Sequence, residues 1–231
     1  MNIAIIFAAG SGTRMGKTIL PKPFLTINDV PILIRTLKVF ENCKNVDQII
    51  LVVNRNYIEY SKELINLFDL SKVNYVIGGG ETGQESIYNG LIFAMEKFGK
   101  GNTIILNDGV RPFVKEQLIA DLLDCTQKNG NAIASIKAIE TVAVMSDKMI
   151  IPNRENCYFL KAPQCFNIDE LLECHEKAKK DNLLSFVDSA SMYNYYGKKL
   201  YLVATDEFNI KITTQADLIL AKEIIDNNIL K

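Results

Sequence analysis

Short apolar runs rich in β-branched residues recur along this chain with longer amphipathic stretches between them, and this alternation restricts the fold more than any other feature. The runs are IAIIF from Ile3, QIILVV from Gln48, VNYVI from Val73, TIIL from Thr103, NAIASI from Asn131 and KLYLVA from Lys199. Runs this short and this uniformly apolar suit strands buried on both faces. Between them, helices are predicted over Pro31–Phe40, Tyr57–Phe68, Glu85–Phe98, Lys115–Lys128, Ile168–Lys180, Asp188–Tyr196 and Gln215–Asn227. Strand and helix in alternation call for an α/β fold with a doubly wound, mostly parallel sheet. In such sheets ligands collect beyond the carboxyl ends of the strands.

The pattern breaks between Lys137 and Tyr158, where KAIETVAVMSDKMIIPNRENCY has short alternating pieces interrupted by SDK and PN. This reads as a β-hairpin or arm at about 137–158, protruding from the sheet. No repeat, proline-rich linker or block of like charge divides the chain, so residues 1–231 are expected to form one domain. With 26 Lys and Arg against 27 Asp and Glu, no global basic field exists to hold a nucleic-acid backbone, and a small ligand is favoured. The five cysteines, Cys43, Cys125, Cys157, Cys165 and Cys174, lack C-x-x-C spacing and fit reduced, buried thiols in a cytoplasmic protein. The first apolar run has no basic flank and is far too short to span a bilayer, so it is expected to be a core strand.

The segments that follow three of the strands are AAGSGTRMG, GGGETGQES and NDGVRPF, all predicted on the same rim. Glycines let backbone N–H groups approach phosphate closely. A dinucleotide site would need a helix opening straight from the first loop and an acidic residue about 20 residues on. Neither is evident. Instead Arg14 and Lys17 stand in the loop, and Lys22 is held between Pro21 and Pro23. Arg14 and Lys22 suit a triphosphate, offsetting charge that grows as a phosphorus is attacked; for Lys22 alone, a surface charge in a turn shaped by proline is an equal account.

In the second loop Gly79 and Gly80 leave room for a flat group, while Ser86 is read as opening the next helix, either reading a base edge or capping. In the third, Asp108 suits a Mg²⁺ ion between phosphates and Arg111 an acceptor phosphate, against the alternative of a capped turn with a structural ion pair. Lys211, between Ile210 and Ile212, is placed by alternation on the face opposite the isoleucines and is uninformative alone. Thr213 or Thr214 is read as the cap of the last helix. His175, the sole histidine, lies among charged residues in DELLECHEKAKK and is expected on a solvated helix face. No nucleophile triad or zinc spacing can be assembled.

Taken in order, AAGSGTRMG…PKPF, GGGETGQESIYNGL, NDGVRPFV, IPNRENCYFLKAPQCF, VDSASM and NIKITTQADLILAKEII resemble the cytidylyltransferases that join CTP to a phosphorylated polyol, over nearly the whole chain. The resemblance is to both the methylerythritol phosphate and the ribitol-5-phosphate enzymes. It implies a Rossmann-like, nucleotide-diphospho-sugar transferase-like fold with a dimerisation arm, and direct attack of an acceptor phosphate on the α-phosphorus of CTP. By the same resemblance Arg14, Lys22, Asp108 and Lys211 are catalytic. Ala8, Ala9, Gly10, Gly12, Gly79, Gly80, Glu81, Ser86 and Gly109, with Arg14 and Lys22, bind CTP. Asp108 supports Mg²⁺ or another divalent cation, and Asp108, Arg111, Thr141, Arg154 and Lys211 contact the acceptor.

The partners implied are CTP, a polyol phosphate and a second copy of the chain, with neither nucleic acid nor membrane. IPNRENCY…PQCF and VRPF resemble the ribitol phosphate enzymes, whereas GQES and VDSASM resemble the methylerythritol ones; the balance points to ribitol 5-phosphate, with 2-C-methyl-D-erythritol 4-phosphate as the alternative. Asn107 stands where the families usually carry His, Gly83 where the methylerythritol group carries Arg, and Ala162 and Val187 where Thr is common. Two rival readings remain at this stage: an NAD-binding oxidoreductase, and a nucleotide-binding module without chemistry.

Overall fold

Residues 3 to 6 are fully buried, yet successive side chains of a strand point to opposite faces, so a helical layer must cover each side of the sheet. The computed structural model describes residues 1–10, 20–145 and 147–230. Along the chain run β1 (Asn2–Ala8), β2 (Thr26–Ile27), β3 (Val30–Pro31), α1 (Ile32–Asn42), β4 (Gln48–Val53), α2 (Ile58–Leu67), β5 (Val73–Gly78), α3 (Gly83–Phe98), β6 (Thr103–Asp108) and α4 (Glu116–Asn129). There follow β7 (Asn131–Lys137), β8 (Val144–Met145), β9 (Met149–Ile150), β10 (Tyr158–Asn167), α5 (Ile168–Lys180), α6 (Ser189–Tyr195), β11 (Leu202–Ala204) and α7 (Gln215–Asp226).

The seven-stranded sheet has the order β11-β7-β10-β6-β1-β4-β5, in which β10 runs antiparallel to both neighbours and the other pairings are parallel. On one face Ala4, Ile6, Ile49 and Leu51 pack with α1, α2 and α4 through Leu37, Phe40, Leu64 and Leu122. On the other, Ile3, Ile5, Ile50 and Ile104 meet α3, α5 and α6 through Leu91, Leu171 and Tyr193. Helix α7 takes part in neither layer. Its Ala221 and Ile224 close a separate apolar cluster with Ile27, Ile32, Val110, Phe113 and Ile212.

Register aligns the strand ends that carry the loops. Ala8 pairs with Val53, Phe7 with Asp108, and Val53 with Gly78, so β1, β4, β5 and β6 finish on one rim. The arm begins where Lys137 pairs with Tyr158 and ends in the β8–β9 hairpin, where Val144, Met145, Met149 and Ile150 are exposed.

Two expectations need correction. Strand β10 is absent from the series of apolar runs because Lys161 and Pro163 interrupt it, and the ladder itself shifts register between Leu160 and Gln164. His175 is 1% exposed rather than solvated. On α5 the buried residues are Ile168, Leu171, Leu172, Cys174, His175 and Ala178, so the helical period carries the imidazole inward while its charged sequence neighbours face out. Of the cysteines, Cys43, Cys165 and Cys174 are buried, Cys125 and Cys157 only half-buried, and all five are free.

Burial pushes the His175 imidazole down to about 4 from its ordinary 6.5, an effect that neighbouring Glu176 only partly opposes. Between those values the unfolded chain binds a proton that the folded chain excludes. Stability from this residue is therefore complete above about pH 6.5 and falls as pH drops toward 4, by on the order of 3 kcal/mol in total. A His175→Met variant should lose less of its urea midpoint than the wild type between about pH 7 and about pH 4.5; equal losses would refute the assignment.

Candidate active site

The carboxyl ends of β1, β4, β5 and β6, with the irregular stretch of β10, surround a cavity of about 990 Å³. Its wall contains Ala8 at the end of β1 with Ala9 and Gly10 after it, Lys22 ahead of β2, Gly79, Gly80 and Glu81 after β5, Ser86 in α3, Asp108 and Arg111 at the end of β6, and Lys211 before α7. Three remote loops and the C-terminal segment thus meet, as the rim argument requires. Gly12 and Arg14 lie outside the described residues. Gly109 is behind the wall: its N–H donates to the Phe7 carbonyl at 2.9 Å, and a Cβ there would stand 2.9 Å from that of Ala8. Thr141 and exposed Arg154, whose guanidinium bonds the Ile139 carbonyl at 3.1 Å, sit on the arm and line no part of the cavity.

Its charged centre is built on Asp108, which is 7% exposed. One carboxylate oxygen accepts from the Lys211 ammonium at 2.6 Å and the other from the Arg111 Nε at 3.3 Å. A turn from Asp108 to Arg111, closed by the Arg111 N–H on the Asp108 carbonyl at 3.2 Å, holds the second contact. The first depends on the apolar cluster below α7. Ile212 is buried there with Val110 and its N–H donates to the Val110 carbonyl at 2.9 Å, so alternation throws Lys211 to the other side, against Asp108. Lys22, 8% exposed, reaches the Thr213 carbonyl at 3.4 Å in the same segment. Thr214 caps α7 in a reciprocal pair with Asp217.

Burial lowers the pKa of Arg111, and Asp108 works against that shift. Lys161, which the sequence did not single out, also lines the cavity; its pKa is pushed down by burial first and by Arg111 second. Arg111 Nη1 and Lys161 Nζ both donate to the Asn209 carbonyl, at 2.8 and 3.1 Å. Lys22, Arg111, Lys161 and Lys211 therefore line one cavity, Arg111 and Lys211 on Asp108 and Lys22 and Lys161 on backbone carbonyls, and cations gathered in a walled cleft favour an anionic ligand.

The other end of the cavity is made of backbone. Helix α3 starts at Gly83 under a Thr82 cap, two residues before the expected start at Glu85, so Ser86 does not open it. The Ser86 hydroxyl instead donates to the Thr82 carbonyl at 2.9 Å and accepts from the Gly80 N–H at 3.1 Å, which fixes the glycine loop from inside. Gly79 donates to the Val53 carbonyl at 2.7 Å, and a Cβ at Gly79 would lie 2.4 Å from that of Ala9. Only glycine lets the loops after β1 and β5 close to this distance.

Sequence reasoning also passed over Arg55, Gln164 and Asp188, which line the cavity. Gln164 joins the PQCF and VDSASM segments, donating to Asp188 Oδ2 at 2.9 Å and accepting from the Ala190 N–H at 3.1 Å, while Asp188 caps α6. The one available signal was Asp188 ahead of Ser191, a capping pattern; nothing local marks Gln164. A Gly79→Ala substitution must push the two loops apart. It should cost about 1–3 kcal/mol of unfolding free energy, and an unchanged urea transition would disprove so close an approach.

Comparison with known proteins identifies the family. Residues 2–227 match the family described as 2-C-methyl-D-erythritol 4-phosphate cytidylyltransferase, IspD. The ribitol-5-phosphate cytidylyltransferase of Vibrio parahaemolyticus is 38% identical over 229 residues, covering 98% of this chain and 96% of the relative. The 2-C-methyl-D-erythritol 4-phosphate cytidylyltransferase of Clostridium botulinum is 36% identical over 228 residues, covering 97% of each. The crystal structure of 4-diphosphocytidyl-2C-methyl-D-erythritol synthase from Anaerococcus prevotii superposes with a TM-score of 0.83 at 29% identity, over 97% of this chain and 96% of that one. The chain belongs to the family that unites IspD with the ribitol-5-phosphate cytidylyltransferases, and it is a CTP-dependent polyol-phosphate cytidylyltransferase.

Proposed function

We propose that the acceptor is ribitol 5-phosphate or a closely related polyol phosphate, so that the products are a CDP-polyol and pyrophosphate. The 38% identity to the ribitol-5-phosphate enzyme supports this choice, and the 36% identity to the methylerythritol enzyme keeps 2-C-methyl-D-erythritol 4-phosphate as the second candidate. The observation that carries the reading is the convergence of Lys22, Asp108, Arg111 and Lys211 on one cavity that also has a glycine-lined end.

An oxygen of the acceptor phosphate forms a bond to the α-phosphorus of CTP, the bond from that phosphorus to the bridging oxygen of pyrophosphate breaks, and the electron pair leaves with pyrophosphate. No covalent intermediate with the protein is needed. Lys22, joined by Arg14, offsets negative charge building on the α-phosphate oxygens. Ala8, Ala9, Gly10 and Gly12 offer the triphosphate close backbone approach, while Gly79, Gly80, Glu81 and Ser86 enclose the base, with Gly109 shaping the floor. Asp108, Arg111 and Lys211 orient the acceptor phosphate.

A divalent cation fits the donor set: Mg²⁺ usually takes one or two carboxylate ligands and completes its shell with substrate phosphate and water. Asp108 would hold it, since a carboxylate has about four acceptor sites and two are used here. Bound there, it would neutralise phosphate charge.

The exposed apolar residues of the arm, including Met145 at 74% and Ile151 at 59%, suit burial against a second copy of the chain. Thr141 and Arg154 lie on this arm, outside the cavity wall, so they reach an acceptor only through such a homodimer. Among the described residues no helix is long and apolar enough to cross a membrane, which is consistent with a cytoplasmic enzyme.

Incubation with CTP and Mg²⁺ across a panel of polyol phosphates, read by pyrophosphate release and mass of the product, should show turnover greatest with ribitol 5-phosphate. Lys22→Ala should lower kcat by about 10²–10³-fold without unfolding the protein. Preference for methylerythritol phosphate would replace the acceptor assignment, and full activity in Lys22→Ala would remove the role given to that lysine.

A further inference from the structure

Lys161 occupies a position that stability alone does not explain. It lies in the stretch where the β10 ladder shifts register between Leu160 and Gln164, and irregularities of this kind redirect side chains beside functional sites. Here the redirected side chain lines the cavity. Its ammonium shares the Asn209 carbonyl with the Arg111 guanidinium, so the two cationic nitrogens are no farther apart than the sum of their 3.1 and 2.8 Å bonds to that oxygen. The Asn209 side chain fixes this junction by donating to the Ala162 carbonyl at 2.9 Å and to the Thr205 hydroxyl at 3.3 Å.

A carbonyl satisfies a hydrogen bond of each cation but neutralises neither. Arg111 has Asp108 as counter-ion. Lys161 forms no ion pair with any carboxylate of the described residues, and nearby Asp206 is occupied by Lys115 at 2.6 Å. Burial first and the charge of Arg111 second oppose its protonation, and the carboxylates of Asp206 and Glu207 offset this only in part. Two cations held this close in a cavity wall, with one carboxylate between them and Lys211, form a receptor that an incoming dianion completes.

Position decides which anion. In the sheet order, β10 and β6 lie on one side of β1, and β5 lies two strands away on the other. At about 4.8 Å per strand, β10 lies roughly 10 Å across the sheet from β1, whose loop is given to the triphosphate, and roughly 19 Å from β5, whose glycine loop is given to the base. We infer that Lys161 and Arg111 form a two-pronged seat for the phosphate of the acceptor, with Lys161 a determinant of acceptor binding and not of CTP binding. This rests on the cytidylyltransferase reading and extends it to a residue that the sequence did not single out.

The test uses full-length protein with Lys161→Met, Lys161→Gln and Lys161→Arg, each checked for a wild-type melting transition. Steady-state assays should show the acceptor KM raised about tenfold or more in Lys161→Met, the CTP KM changed less than about twofold, and much of the loss recovered in Lys161→Arg. Calorimetric titration with inorganic phosphate should show weaker binding to Lys161→Met than to wild type. An unchanged acceptor KM, equal rises in both KM values, or equal phosphate affinity in wild type and Lys161→Met overturns the inference. Should Lys161→Met not fold, Lys161→Gln is judged by the same criteria. Failure of the broader reading looks different: wild type would release no pyrophosphate with any acceptor, while the phosphate titration would still decide whether the seat exists.

Discussion

Burying a carboxylate costs several kcal/mol unless cations meet it with good geometry, and Asp108, with a tenth of its side chain exposed, is buried at the end of a central strand. Arg111 and Lys211 meet it from two directions, one through a local turn and the other across the chain from the segment before α7. The second contact is possible because the Val110 and Ile212 side chains pack together and their backbones share a hydrogen bond. Thus the smallest apolar cluster, the one under α7, holds the polar centre of the cavity in place. Loss of packing at Ile212 would be felt first as misplacement of Lys211.

The two ends of the cavity are built by different means. Around Asp108 the wall is made of long cationic side chains anchored on carbonyl oxygens: Arg111 and Lys161 on Asn209, Lys22 on Thr213. Each anchor fixes a charge without cancelling it. At the far end the wall is backbone brought close by glycine, with Ser86 and Thr82 spending their hydroxyls inside the loop. The two ends thus offer different things to a ligand, cationic side chains around Asp108 at one and loop backbone beside Glu81 at the other, and their separation follows from strand order.

Much of this was legible in the sequence. Helices α1, α4, α5 and α6 begin and end within a residue or two of the boundaries read from apolar spacing, because burial on a two-sided sheet enforces the helical period. The three loops were legible because strand ends in such sheets share a rim, and glycine, Asp108 and Arg111 stood at those ends. Strand β10 was not legible, since Lys161 and Pro163 erase the apolar run and the pairing of Gln164 with Leu106 and Ile133 is a long-range event. His175 was misread because its sequence neighbours are charged, whereas its neighbours in space are Tyr88 and the inner face of α3.

By itself the sequence determined the alternation of strand and helix, the covering of the sheet on both faces and the presence of glycine and charge at the strand ends, since these depend on periodicity and on what each residue type can do to its own backbone. Only the tertiary structure decided that Lys211 faces Asp108, that Lys161 turns into the cavity, and that Gln164 ties β10 to α6. Those outcomes depend on register shifts and on contacts between segments far apart in the chain, and no local pattern encodes the direction in which a side chain points once its strand leaves regular pairing.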